Sequence, residues 1–115
     1  MKKILIVDDD ITFLGLLSQS LKKKYQTYEA TGANEALRMI EDVSLDAICS
    51  DFNIKGGTGL GLLEAIRKKG IQLPFLLMSG GEDRYIIRTT QHYGATFCYK
   101  TDPDLIRKIC SIVNV

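Results

Sequence analysis

Four aspartates, a serine and a lysine carry the side chains whose placement in this sequence is chemically informative. Asp8, Asp9 and Asp10 follow one short apolar run, Asp51 closes another, Ser79 closes a third, and Lys100 follows the strand-like Thr96 to Tyr99. Carboxylates gathered in one place repel each other, and a hard divalent cation with oxygen ligands relieves that repulsion. Mg²⁺ suits such an open, partly hydrated site and can bridge to a phosphoryl oxygen. An aspartate carboxylate that attacks phosphorus forms an acyl phosphate, and a metal together with an ammonium group stabilises the charge on the equatorial oxygens. Asp51 is the candidate nucleophile and Lys100 the candidate ammonium. Ser79 offers a hydroxyl to a phosphoryl oxygen, with the amides of Gly80 and Gly81 beside it.

These side chains can act together only if the chain brings them to one place. Ile4 to Val7 is a continuous aliphatic run, the signature of a parallel strand covered on both faces. Ile11, Phe13, Leu14, Leu17 and Leu21 then recur at helical spacing, ahead of the basic Lys22-Lys23-Lys24. Tyr25 to Ala30 reads as a second strand, and a helix opening at Ala33 or Asn34 carries Ala36, Leu37, Ile40 and Val43. Ala47 to Ser50 forms the third strand, followed by Asp51. Ile54 to Gly59 reads as a flexible loop, and Leu60, Leu62, Leu63 and Ile66 form a helix ending at Lys68-Lys69-Gly70. Pro74 introduces a fourth strand, Phe75 to Met78. A helix is expected between Glu82 and Tyr93 and a fifth strand over Thr96 to Tyr99. Pro103 is expected at the first position of a last helix with the apolar face Leu105, Ile106, Ile109 and Val113. Five strands alternating with five helices predict an α/β fold, a parallel sheet with helices on both faces. Right-handed crossovers place all strand C-termini on one edge, so Asp8 to Asp10, Asp51, Ser79 and Lys100 converge there.

The composition bounds what such a site can serve. With 115 residues, 45% hydrophobic and 25% charged, the chain is expected to be one domain, residues 1–115, able to bury a core unaided. With Ile112 to Val115 closing the sequence, no linker or second domain is expected. Fifteen basic against 14 acidic residues give a net charge of +1, which provides no electrostatic footprint for nucleic acid or an anionic membrane. Cys49, Cys98 and Cys110 lack metal spacing and read as small core residues in a reducing compartment. Four apolar residues after Met1-Lys2-Lys3 are too few for a signal peptide, so a cytoplasmic location is expected.

Taken in order, Val7-Asp8-Asp9, Asp51, Gly59 eight residues on, Ser79 and Lys100 resemble, over the whole length of the chain, the receiver domain of two-component response regulators. The resemblance implies the flavodoxin-like strand order 2-1-3-4-5 and makes Asp51 the phosphoacceptor. It implies that Asp9, Asp51 and the backbone carbonyl of Asn53 hold Mg²⁺, with Asp8 acting mostly through water. Ser79 and Lys100 would bind the phosphoryl group, and Phe97 stands where the family carries a switch aromatic. The implied donor is a histidine kinase or a histidine phosphotransfer protein, and the output another protein bound by a monomer or a phosphorylation-dependent dimer. Such a domain is not an enzyme beyond catalysing its own phosphorylation and dephosphorylation. Two departures stand out: Lys55 and Thr101 occupy positions where the family usually has proline, the second commonly cis.

Other readings are available for each residue. One of the three N-terminal aspartates, Asp10, reads as an ordinary acidic first turn of a helix, and His92 as a solvated helix residue. The glycines at 56, 57, 59 and 61 match no nucleotide-binding spacing. A flavodoxin would need a glycine- and hydroxyl-rich phosphate loop where this chain has three aspartates. An aspartate-based phosphohydrolase would more usually place paired aspartates two apart after the first strand. The alternative of a non-phosphorylated receiver-like protein-binding module is opposed by the complete set of five motifs.

Overall fold

The computed structural model describes residues 1–114; Val115, the last residue of the expected C-terminal segment, lies outside the described residues. Strands β1 (Lys3–Val7), β2 (Gln26–Ala30) and β3 (Ala47–Asp51) alternate with helices α1 (Ile11–Leu21) and α2 (Ala33–Asp42). A short hairpin, β4 (Asn53–Ile54) and β5 (Gly57–Thr58), precedes α3 (Gly59–Lys68). Then follow β6 (Phe75–Ser79), α4 (Arg84–His92), β7 (Thr96–Tyr99) and α5 (Leu105–Val113). The main sheet runs β2-β1-β3-β6-β7 and every pairing in it is parallel. With the hairpin set aside, this is the flavodoxin-like 2-1-3-4-5 order of a doubly wound (βα)5 fold.

The continuous apolar runs follow from this arrangement. Alternate residues of each central strand enter two separate cores. Ile4, Ile6, Ala47, Cys49, Leu76, Met78 and Cys98 pack with Leu14, Leu17 and Leu21 of α1 and with Leu105, Ile109 and Val113 of α5. Leu5, Val7, Ile48, Phe75 and Leu77 pack with α2 and α3 on the other face, where Ile86 and Tyr93 add the flank of α4. Cys49 and Cys98 are buried free thiols and Cys110 is half-buried, as their apolar settings predict. Burial pushes the Cys49 thiol far above its ordinary range, so it is inert core. Among the described residues, no helix is long and apolar enough to cross a membrane.

Three local expectations are corrected. The segment after Asp51 is not a plain loop: Asn53 pairs with Thr58 and Ile54 with Gly57 across a turn in which Gly56 takes a left-handed φ of 74°. This hairpin is tied to the β2–α2 junction, because the Lys55 amide donates to the Thr31 carbonyl at 3.0 Å and the Ala33 amide to the Lys55 carbonyl at 2.9 Å. A proline at position 55 would lack the first of these donors, so lysine here keeps the hairpin docked. Second, Pro103 does not open the last helix but lies in the turn before it. That turn is held by the Leu105 amide on the Asp102 carbonyl, 3.0 Å, and by the Asp104 amide on Asp102 Oδ1, 2.8 Å. Third, α4 is shorter than its periodicity predicts, beginning after Asp83, whose carboxylate accepts from the Tyr85 and Ile86 amides.

The segment carrying Lys100 has its own anchor. All peptide bonds among the described residues are trans, including the one before Thr101. Asp102 holds the turn, with its amide on the Tyr99 carbonyl at 3.0 Å and its carboxylate on Lys108 Nζ at 2.6 Å. The Lys108 contact holds the Asp102 carboxyl below the usual carboxylate range, and Asp102 in turn raises Lys108.

Candidate functional site

The register of the sheet builds the site. Val7 lies beside Ser50, Asp51 beside Met78 and Ser79 beside Tyr99, so Asp8, Asp51, Ser79 and Lys100 all leave the sheet at one edge. Asp8 is fully buried and Asp51 is 4% exposed, an unusual environment for carboxylates without partners. Their partner is Lys100, whose Nζ lies 2.8 Å from Asp8 Oδ2 and 3.5 Å from Asp51 Oδ2. The lysine is itself held by its backbone, its amide donating to the Ser79 carbonyl at 2.9 Å. Its ammonium also lies 4.3 Å from the centroid of the Phe13 ring.

Each aspartate of the N-terminal row has a separate task. Asp8 Oδ1 accepts from the Asp10 amide at 2.9 Å, which turns Oδ2 toward the lysine. Asp10 caps α1, accepting from the Thr12 and Phe13 amides at 3.1 and 3.2 Å, so it stands just before the helix and not within its first turn as its sequence position suggests. Asp9 is exposed, with its amide 3.5 Å from the Asn53 carbonyl. Carboxylate oxygens of Asp8, Asp9 and Asp51 can be chosen that all lie within 4.8 Å of one another. The Asn53 amide is 3.3 Å from Asp51 Oδ2, so the hairpin strand β4 begins against the nucleophile candidate.

The structure thus brings together Asp8, Asp9, Asp51, Asn53 and Lys100, with Ser79 joined through the Lys100 amide. The Ser79 hydroxyl lies 3.3 Å from the Gly81 amide and 3.4 Å from the Gly81 carbonyl, both long contacts that a better acceptor or donor can replace. Phe97 lies apart. It is opposite Leu77 on β7, half-buried, and meets Tyr99 edge-on with ring centroids 5.2 Å apart. Sequence reasoning did not find Phe13, because its helical spacing is that of a core residue and nothing in the sequence marks its neighbour as Lys100.

The electrostatics agree with a site prepared for a cation. Burial raises the Asp51 pKa, the Asp8 carboxylate raises it further, and Lys100 and the Asn53 amide offset part of that. For Lys100, burial acts downward, but the contacts with Asp8 and Asp51 outweigh it and hold the ammonium above its ordinary value. Asp8 Oδ2 is buried without a hydrogen bond of good geometry. Its 2.8 Å approach to Lys100 is an ion pair and not an aligned bond, so the oxygen keeps acceptor capacity. Three carboxylates and a nearby backbone carbonyl are the hard oxygen donors that Mg²⁺ prefers, and the residues present fit that ion.

One consequence concerns stability. A carboxyl whose folded pKa is raised binds its proton more tightly in the fold. Its contribution is therefore most favourable below the unfolded value near 3.8 and is lost as pH rises through the folded value. At pH 7 and without divalent cations, ionised Asp51 burdens the fold. Asp51→Asn is expected to raise the melting temperature in EDTA at pH 7, with the difference from wild type shrinking as pH falls toward 4. A variant that melts below wild type at pH 7 would refute this, and thermal denaturation followed by circular dichroism decides it.

A family model for the response regulator receiver domain matches residues 4–110. The chain belongs to that family. Among curated relatives, this receiver is 33% identical over 102 residues to the two-component response regulator ARR11 of Arabidopsis thaliana. That match covers 85% of this chain but 19% of the plant protein, so the receiver corresponds to a small part of that relative. It is 28% identical over 97 residues to the probable chemotaxis protein CheY of Rhizobium etli, covering 81% of this chain and 75% of that one. Among solved structures, a CheY-like response regulator receiver domain protein from Methanospirillum hungatei superposes with a TM-score of 0.90 at 27% identity. That superposition covers 99% of this chain and 94% of the other.

Proposed function

We propose that this receiver is a phosphoacceptor in two-component signalling, with Asp51 as the residue that takes the phosphoryl group. The observation that carries the reading is the Lys100 ammonium held between two buried carboxylates at the C-terminal edge of the sheet, 2.8 Å from Asp8 and 3.5 Å from Asp51. The donor is a histidine kinase or a histidine phosphotransfer protein. An Asp51 carboxylate oxygen forms the new bond to phosphorus as the phosphorus–nitrogen bond of the phosphohistidine breaks, and the imidazole leaves with the electron pair. Water later attacks the phosphorus and returns the carboxylate and inorganic phosphate. The chain turns over no other substrate, so it is not an enzyme in the ordinary sense.

The roles follow from placement. Lys100 transfers its ammonium from the carboxylate pair to a phosphoryl oxygen, replacing an Asp51 contact with one to the incoming charge. Ser79 rotates its hydroxyl from the long Gly81 contacts to a second phosphoryl oxygen. Mg²⁺ held by Asp8, Asp9, Asp51 and the Asn53 carbonyl would supply further neutralisation of the phosphoryl charge. Once phosphorylated, the site draws Ser79 and Lys100 inward, the first the last residue of β6 and the second the residue directly after β7. The charge change thereby biases the face that carries α4, Phe97 and Tyr99, where a downstream protein or a second copy would read it. The setting is the cytoplasm.

Intact-mass measurement after incubation with acetyl phosphate tests this, with and without Mg²⁺, on wild type and Asp51→Asn. The expected result is one phosphoryl adduct that requires Mg²⁺ and disappears in the variant. An unmodified wild type that also binds no Mg²⁺ would leave a non-phosphorylated protein-binding module in its place.

A further inference from the structure

Lys100 has a third neighbour besides its two carboxylates. Its Nζ lies 4.3 Å from the centroid of the Phe13 ring, inside the range at which an ammonium is attracted to an aromatic face. We infer that Phe13 is a positioning residue for Lys100, its ring holding the ammonium between Asp8 and Asp51 before a phosphoryl group arrives. The kinetic part of this inference rests on the phosphoacceptor reading of Asp51; the structural part does not.

A lysine ammonium is a point charge on a flexible four-carbon stem, and two carboxylates alone leave it free to slide between their oxygens. The ring adds a restraint from a different element, α1, and covers the ammonium with an apolar surface that keeps water away. The Lys100 side chain is 19% exposed as a result of such neighbours. Phe13 is itself fixed. It is half-buried against the α1–α5 core, and its amide donates to Asp10 Oδ1 at 3.2 Å. Asp10 in turn donates its amide to Asp8 Oδ1 at 2.9 Å. The contacts therefore close a ring: Asp8 sets Asp10, Asp10 sets Phe13, Phe13 faces Lys100, and Lys100 returns to Asp8. A lysine placed in advance loses less side-chain freedom when charge develops on the phosphoryl oxygens, so the benefit appears in the transfer step.

The competing account is that Phe13 merely fills the α1–α5 core, a task leucine would perform equally well. Phe13→Leu keeps an apolar side chain and removes the aromatic face, whereas Phe13→Tyr keeps the face. In unphosphorylated protein, the Lys100 ε-methylene protons are expected upfield from the ring current. That displacement should vanish in Phe13→Leu and persist in Phe13→Tyr. With Mg²⁺ and subsaturating acetyl phosphate, the initial rate of adduct formation should fall roughly fivefold in Phe13→Leu, the size of a cation–π attraction at a partly desolvated site expressed as a rate. Phe13→Tyr should stay within about twofold of wild type on the same basis. An unchanged rate and unchanged lysine shift in Phe13→Leu would overturn the inference, as would a Phe13→Tyr variant as slow as Phe13→Leu. If wild type itself takes no phosphoryl group, the phosphoacceptor reading fails, and the lysine shifts still decide whether Phe13 holds Lys100.

Discussion

Lys100→Met is expected to lose about 3 kcal/mol of stability at pH 7 in EDTA, the low end of what removing one partner of a buried ion pair costs. Methionine keeps most of the apolar stem while deleting the charge, so the loss reports electrostatics and not a cavity. Without the ammonium, Asp8, with no exposed surface, and Asp51, 4% exposed, face each other uncompensated. For a 115-residue domain this corresponds to a fall of roughly 10–15 °C in melting temperature. Asp51 already has a raised pKa from burial and from Asp8, and losing Lys100 raises it further. The deficit is therefore greatest at neutral pH and shrinks as pH falls and Asp51 takes up its proton. Millimolar Mg²⁺ should recover much of the loss, since a divalent cation answers the same repulsion. Melting curves at pH 7 and pH 5, in EDTA and in Mg²⁺, check all three. A variant as stable as wild type at pH 7 in EDTA would show that the carboxylate pair does not depend on this lysine.

The second large effect is expected at Gly59, the first residue of α3. A Cβ there would collide with the Asp51 carbonyl oxygen and come within 2.7 Å of Leu77 Cδ1 and 2.9 Å of Ser50 Oγ. The carbonyl cannot retreat, because it also accepts from Ser50 Oγ at 2.9 Å, and the N–H of the same peptide, that of Phe52, donates to the Met78 carbonyl at 2.8 Å. The Gly59 amide donates to the Phe52 carbonyl at 2.8 Å, so the helix start is clamped from its own side as well. Gly59→Ala must push α3 away from the sheet or displace the strand end that carries Asp51. We expect a loss of about 2–3 kcal/mol, the upper range for overpacking a close-packed site, together with slower adduct formation. Gly15→Ala is the control. A Cβ at this mid-helix position in α1 meets nothing within 4 Å, so helix propensity alone should stabilise the variant by about 0.5–1 kcal/mol. Equal melting temperatures for Gly59→Ala and wild type would remove close approach as the reason for glycine beside Asp51.

The layered architecture, and the gathering of the candidate residues at one sheet edge, could be read from the amino-acid pattern alone. Apolar runs such as Ile4 to Val7 and Phe75 to Met78 are short, uniformly hydrophobic and bounded by polar or turn residues, the pattern of a strand covered on both faces. A parallel sheet wound in one hand then brings their polar successors to one edge. Asp8, Asp51, Ser79 and Lys100 were legible for that reason: each directly follows or closes a strand, where local pattern and global position coincide. Asp10 was legible as a helix-start residue, but its capping of the amides two and three positions on, from just outside the helix, was not.

Contacts between residues distant in the chain and unmarked by spacing emerge only from the packed fold. That Lys100 pairs more closely with Asp8 than with Asp51, and rests on Phe13, is a matter of side-chain packing between residues 49 to 92 positions apart in the chain. The hairpin after Asp51 was hidden because its strands are two residues long, below the length at which alternation is visible, and because its anchor is the remote Thr31 carbonyl. The last helix was expected to open two residues too early, at Pro103, because Asp102 captures the following amides and delays it to Leu105. Gly59 was recognisable from its place in the motif series, but the reason for it, a carbonyl oxygen where a methyl group would go, exists only once α3 is packed against β3.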